Sequence, residues 1–518
     1  VAHPAAHISE WLRREATVSP GRITALFGVS GRELDEALED LALEGTIVSD
    51  LLVGGREDEE VIDSQNLEIL LRRARAAARP NVTARDSRDL ARLVFALQGL
   101  LPAVPASSNP QGAAADGGSQ TEGRAALERS LAALAGASIP VAIWEAEVLP
   151  ARVMRYRSAD LDAVMAESPW QWFGAGKGSV SIALASDLEL FLQPRAARSR
   201  ARSALLPKGA ASLDFWAIRE RSALSSAEVA RQLWKEAWKG LVASDSFRDL
   251  RDGMANGFGT ELPDASAGLG AGMAAPFGAR RRIPRALRER WRGGSPVSGR
   301  WFPLDLDEEG EGDDLDVLDD LGLDAARVRA LAGRYGILCR SLLEREVDGL
   351  RWGDLFPAMR RLELAGELLS GRFFEGLDGP QFIDPAAFAD YLALDGGLPV
   401  GPIWINALDP AASALYAVET RSHGLPSRIA ANRICVDGGE VVAVSARSYR
   451  ELSLDVGPED QRLSAILGLF PAARGRDVRA EKRIVVESIN GQGASRSPFA
   501  QALRDAGFEA DRGRMVLW

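Results

Sequence analysis

The sequence is poor in the residues that most often make chemistry. It has two cysteines, three histidines and, against 57 arginines, only five lysines. Two cysteines and three histidines supply no cluster with zinc spacing, so no metal site is expected. Cys339 and Cys435 lie far apart, each in an apolar pattern. They read as core thiols of a protein in a reducing cytoplasm rather than a disulfide pair. Only His423 lies outside the extreme N-terminus, which leaves no Ser-His-Asp set. No run of about 18 apolar residues exists, so no membrane span is expected. The chain begins Val1-Ala2-His3-Pro4, with neither Met nor a charged-then-apolar leader, and reads as a piece of something longer.

What is present is an ordinary globular balance: 46% hydrophobic and 26% charged residues over 518 positions. That length exceeds one core and implies several domains. The net charge of −11 argues mildly against a nucleic-acid binder, which usually carries a basic face. Its distribution matters more. "ARRRIPRALRERWR", Ala279 to Arg292, holds seven arginines and one acid, and "LDLDEEGEGDDLDVLDD", Leu304 to Asp320, holds ten acids. Both read as solvated linker.

An internal repeat organises the rest. "LEDLALEGTIVSD" (Leu38 to Asp50), "LWKEAWKGLVASD" (Leu233 to Asp245) and "MRRLELAGELLSG" (Met359 to Gly371) align with Gly45, Gly240 and Gly366 in register. In each, an amphipathic helix runs into a glycine, the usual left-handed stop, and a short strand follows. Another helix lies upstream of each. Ser30 with Glu33 three residues on forms a capping-box pattern, and Ser225 or Ser226 caps the second copy. Helix-turn-helix followed by strand and hairpin is the winged-helix plan. A degenerate fourth copy runs through "VAIWEAEVLPARVMRYRSADLDAVMAESPWQWFGAG" to "SVSIAL".

The last 120 or so residues change character. "GPIWINALDP", "ALYAVET" and "NRICVDGGEVVAVSA" are β-rich, and Asp437-Gly438-Gly439 is a hairpin signal. "SPFAQALRDAG" reads as a helix with Ser497 as cap, Pro498 in the first turn and Gly507 as stop.

Motor chemistry is missing. "GAGKGS" has Gln171 where a phosphate loop needs its first glycine and Gly178 where it needs Ser or Thr, so it reads as a β-turn. Binding chemistry remains. Arg280, Arg281, Arg282 and Arg285 are suited to phosphates. Arg300 with Trp301, and Arg372 with Phe373, pair a cation with a ring for unpaired bases.

At this point the chain resembles the C-terminal region of the long bacterial Lhr (large helicase-related) superfamily 2 helicases. The likeness is carried by "VLPARVMRY", "LWKEAWKGLVASDSF", "GRW", "RYGILCRSLLERE", "LSGRFFEGLDGPQF" and "VESINGQGASRSPFAQALRDAGF", which together span nearly the whole chain. The resemblance implies a bacterial, cytoplasmic DNA-repair protein. Its motor, outside this chain, uses ATP and Mg to move 3′ to 5′ on single-stranded DNA and to unwind duplexes and RNA:DNA hybrids. This chain itself needs no cofactor. The resemblance also implies winged helices ending in a β-barrel module, as in bacterial glycosylases that excise damaged bases, uracil among them, and a homo-oligomerisation role. Base excision needs a carboxylate or amide at the flipped nucleotide. Gln381 and Asp511 are the residues considered for it.

The expected fold is therefore α+β: tandem winged-helix (helix-turn-helix) domains followed by a C-terminal β-barrel-like module. The expected order is a winged helix at 1–55, a helical segment at 56–105 that could belong to a further winged helix, a linker at 106–123 and a degenerate winged helix at 124–206. A winged helix at 207–255, a linker at 256–323, a winged helix at 324–397 and the barrel-like module at 398–518 follow. The expected partners are single-stranded DNA or an RNA:DNA hybrid, and further copies of the chain. A glycosylase and a purely structural oligomerisation domain stand as alternatives.

Overall fold

The computed structural model describes residues 4–53, 58–77, 82–100, 118–192, 203–207, 209, 211–259, 299–304, 315–394, 401–418 and 424–518. The chain divides into two compact units, residues 1–82 with 359–371, and residues 83–358 with 372–518.

The first unit holds the first repeat. Helices Pro4–Leu12, Pro20–Phe27 and Gly31–Leu43 pack through Ile8, Leu12, Ile23, Leu34 and Leu41, all buried. Ser30 accepts from the Glu33 backbone N–H, and the Glu33 carboxylate accepts from Ser30, so the capping box forms as expected. Gly45 takes φ +70°, a left-handed stop that a side chain would strain. Strand Ile47–Asp50 pairs antiparallel with Glu60–Asp63. The returning wing strand therefore falls inside the segment 56–105, which was expected to be helical or part of a further winged helix. In the same unit, Arg75 donates to the carbonyls of Leu364 and Ala365, capping the end of helix Trp352–Ala365.

The second unit contains two winged-helix folds on one core. The degenerate copy has strand Ile139–Pro140 beside the hairpin Trp170–Gly174 and Ser179–Leu184. The next has helices Phe215–Arg221 and Ser226–Ala237, then strands Leu213–Asp214, Val242–Ser244 and Arg300–Pro303 in a three-stranded sheet. Their cores merge, with Trp301 edge-on to Trp172 at 5.9 Å and to Trp234 at 5.2 Å. Aromatic pairs in this geometry add to the area they bury. Further on, Ile337–Leu338 pairs with Gln381–Ile383.

The C-terminal region has a six-stranded mixed sheet from Ile403–Asn406 to Gln492–Gly493 and a separate three-stranded sheet with Arg514–Leu517 as its central strand. The end strands of the six-stranded sheet do not pair among the described residues, so no closed barrel is found there. Asp437 pairs with Glu440 across the expected Gly-Gly turn. The expected helix start at Ser497 moves to Ala500, because residues 494–496 take a 3-10 turn into which the Ser497 hydroxyl donates at the Ala494 carbonyl.

Buried charge ties the C-terminal sheet to the degenerate winged helix. Arg152 reaches both oxygens of Asp409 at 2.7 and 2.8 Å, with Gln98 accepting at 2.8 Å. Glu147 accepts from Arg433 at 2.6 Å and from Asn406 at 2.9 Å. Glu147 sits on a π-helical turn, Trp144–Val148, that the sequence reading did not foresee. Such turns are rare and often mark special sites. This one sends Glu145 to Tyr156 and Arg251, and Glu147 to the sheet. Burial raises the Glu145 carboxyl, against the opposing pull of Arg251.

Candidate nucleic-acid interface

The expected binding residues divide three ways. Arg280, Arg281, Arg282 and Arg285 lie outside the described residues. Trp301 and Phe373 are fully buried, which removes them as stacking surfaces for a base. Trp301 belongs to the tryptophan core, and Phe373 meets Phe388 and Tyr391 edge-on at 5.9 and 5.7 Å. Each ring follows an arginine; in the strand Arg300–Pro303 alternation turns Trp301 inward, whereas Phe373 lies past the strand Leu369–Gly371 and is buried together with Phe374. Arg300 and Arg372 are exposed. The Arg300 guanidinium donates to the Ser212 hydroxyl and carbonyl at 2.9 and 2.7 Å.

The two residues considered for catalysis lie in different elements. Gln381 is fully buried. Its Oε1 accepts from the Phe373 and Phe374 backbone N–H groups at 2.9 Å, and its Nε2 donates to the Phe374 carbonyl at 2.8 Å. A carboxamide so engaged closes a loop; it has no face left for a substrate. Asp511 is exposed on the terminal hairpin, opposite Arg514.

A different surface gathers the chemistry that binding needs. A groove of about 1120 Å³ runs between the turn Ala175–Gly178 of the degenerate wing and the second helix of the following domain. Its walls carry Lys177, Arg231, Lys235 and Lys239, all exposed and without a salt bridge among the described residues. Arg231, Lys235 and Lys239 are spaced four apart, which puts them on one helical face and its extension past the C-cap. Arg351 joins them, paired with Asp348 at 2.8 Å. Trp238 and Phe258, both part-exposed, supply the aromatic lining.

The fold brings these residues together through glycine. A Cβ on Gly174 would stand 1.8 Å from the Ala237 carbonyl oxygen, so only glycine lets the wing touch the helix end. Gly176 N–H then donates to the Trp238 carbonyl at 3.1 Å. The acids of this helix are occupied. Glu228 closes a capping box on Ser225, and buried Glu236 accepts from Ser203, Ala204 and Gln232. The cations therefore dominate the exposed face.

Sequence reasoning missed this groove. A signal was available: three of the chain's five lysines, Lys177, Lys235 and Lys239, line it.

The winged-helix domain of the large helicase-related protein matches this chain at residues 86–187 and again at residues 322–394. These matches fit the C-terminal region of the large helicase-related, or Lhr, proteins. It is 26% identical over 542 residues to the Lhr helicase/uracil glycosylase of Escherichia coli, covering 96% of this chain and 32% of that protein. It is 27% identical over 543 residues to the Lhr helicase/probable uracil glycosylase of Mycolicibacterium smegmatis, covering 96% and 33%. The chain thus spans about a third of the length of the curated relatives it matches. Among solved structures, the Streptomyces sahachiroi DNA glycosylase AlkZ aligns with 77% of this chain and 97% of its own at 13% identity and a TM-score of 0.39, a likeness too loose to carry an argument. Among the described residues, no helix is long and apolar enough to cross a membrane, and no three or more His, Cys, Asp or Glu side chains group as metal ligands.

Proposed function

We propose that this region binds nucleic acid for an Lhr-type DNA-repair helicase, through the groove between the degenerate wing and helix Ser226–Ala237. One observation carries the reading: four exposed cations, without a salt bridge among the described residues, surround a part-exposed tryptophan at the C-cap of the second helix of a winged-helix domain. Unpaired cations on such a helix suit phosphates, and each phosphate contact releases counterions. Binding measured against salt tests this. Changing Lys177, Lys235 and Lys239 together to Gln is expected to flatten the log–log salt slope by about 2 to 3. An unchanged slope and affinity would remove the groove from the reading. Strand separation and ATP use belong, in this reading, to the remainder of the longer protein, and self-assembly of the chain is checked by light scattering.

A second reading is uracil excision. The names of both relatives support it, over 96% of this chain. With the Gln381 amide occupied by its own loop, Asp511 is the residue left to activate water or stabilise the sugar cation. Incubation with uracil-containing DNA followed by alkali tests it. Strand breaks with the wild-type chain, and their loss in Asp511→Asn, are expected. Equal cleavage by both proteins removes Asp511, and no cleavage removes the enzyme.

A further inference from the structure

We infer that the groove takes a single strand, with one unpaired base stacked at Trp238 on a site that Phe258 fills in the free protein. This rests on reading the groove as a polynucleotide surface, and deepens it.

The geometry is specific to this place. The Trp238 ring lies 5.6 Å from the ring of Trp234 at an interplanar angle of 25°, a stacked pair. The Phe258 ring approaches both, 4.9 Å from Trp238 and 5.0 Å from Trp234, at 76° and 79°. Trp234 is buried, whereas Trp238 and Phe258 remain part-exposed and line the groove. Phe258 reaches its position from a backbone at φ 52° and ψ 42°, directly after Gly257 at φ +62°. A left-handed backbone is costly for a bulky aromatic, and persists only where the surroundings over-determine it. Here the compensation is visible. The ring packs on two tryptophans, and it fits because Gly253 has no Cβ, which would stand 2.6 Å from it. The ring is thus held by aromatic contact at the expense of its own backbone. A nucleobase offers the same kind of contact with a flat π face, and its entry lets Phe258 leave the strained conformation.

The cations fit this occupant. Lys239 follows Trp238 directly, Lys235 lies three residues before it, and Lys177 stands on the facing turn, so phosphates on both sides of the stacked base have partners. A duplex keeps its bases paired and stacked inside and presents only its phosphates. Selectivity for a single strand therefore resides in Trp238, and the charge-dependent affinity in the lysines.

The test uses the full chain with three probes: a twelve-residue oligo-dT, a twelve-residue oligo-U, and a twelve-base-pair duplex. Trp238→Leu is expected to weaken both single strands about tenfold and to leave the duplex within about twofold. Trp238→Phe, which keeps a stacking face, retains most of the affinity. Phe258→Ala removes the competitor and tightens single-strand binding several-fold, whether or not the Trp238→Leu chain folds. Tryptophan fluorescence is quenched by the single strands in wild type. A response to only one of the two sugars supports the site for that sugar alone. Unchanged single-strand affinity in Phe258→Ala, or equal loss for strand and duplex in Trp238→Leu, overturns the inference. Lys235→Gln with Lys239→Gln separates the two levels. If that pair weakens every probe while the ring variants change nothing, only the stacking site falls. If it weakens none, the groove reading itself falls.

Discussion

Helices Gly31–Leu43 and Ser226–Ala237 occupy the same place in two copies of one repeat. Each begins with a serine whose hydroxyl accepts from a glutamate N–H three residues on, completing a capping box. Each runs to a left-handed glycine, Gly45 at φ +70° and Gly240 at φ +67°. Their surfaces are opposite. The first exposes Asp35, Glu36, Glu39 and Asp40, with Arg32 already paired to Glu36 at 3.0 Å. The second hides or engages its acids and exposes Arg231 and Lys235. The scaffold of a winged helix is thus reproduced by caps, stops and a buried stripe. Those elements say nothing about whether phosphate is attracted, and the exposed face alone decides it.

The largest effect is expected from making the second helix resemble the first. Lys235→Glu with Lys239→Glu replaces two attractions by two repulsions. Nucleic-acid affinity is expected to fall by about a hundredfold at low salt, with the loss shrinking as salt rises. Stability should move by no more than about 0.5 kcal/mol, since both side chains are exposed and without a salt bridge among the described residues. The reciprocal change, Asp35→Lys with Glu39→Lys, is expected to yield no comparable binding, because among the described residues the groove of its unit, which holds Trp11 and Phe27, is not lined by this helix. Anisotropy titrations on both variants check the pair. Strong binding gained in the reciprocal variant would show that charge alone, without the groove, is sufficient.

Next in size is the contact that builds the groove. Gly174→Ala drives a methyl onto the Ala237 carbonyl, which is backbone and has no rotamer to yield. The expected cost is about 1 to 3 kcal/mol, the range for overpacking. Thermal unfolding and loss of single-strand binding should appear together.

Much of this comparison was legible in the residues. Ser30 and Glu33 announce their box by spacing alone, the second cap narrows to Ser225 or Ser226, and Gly45, Gly240 and Gly366 announce the stops, because these are local signals. Asp437-Gly438-Gly439 did the same for the C-terminal hairpin. The closed barrel was not so local: which strands end a sheet depends on distant pairing. Trp301 and Phe373 misled because an aromatic next to arginine looks the same in sequence whether strand and loop turn it in or out. Glu145, Glu147, Arg152 and Asp409 pair across up to 286 residues, the separation of Arg433 from Glu147. No window along the chain contains both partners. The groove is the same kind of case. Lys177 and Lys239 become neighbours only because Gly174 admits the next domain's backbone.

The smallest effect concerns what the two helices share. Glu33 and Glu228 both have carboxyls held below the usual range, foremost by hydrogen bonds from the Ser30 and Ser225 backbone N–H groups and next by the serine hydroxyls. A folded-state pKa below the unfolded one stabilises the fold above the unfolded value near 4.5 and loses that contribution as pH falls through the folded value. Both copies should therefore weaken together in mild acid. Ser30→Ala and Ser225→Ala are each expected to cost about 1 kcal/mol at neutral pH and to flatten the acid limb of the stability curve below about pH 4.5. Urea unfolding of wild type and the two variants from pH 3 to 7 reads this directly. If one variant flattened the limb and the other did not, the two boxes would not be equivalent. Similarity of scaffold would then break down at the caps as well as at the charged face.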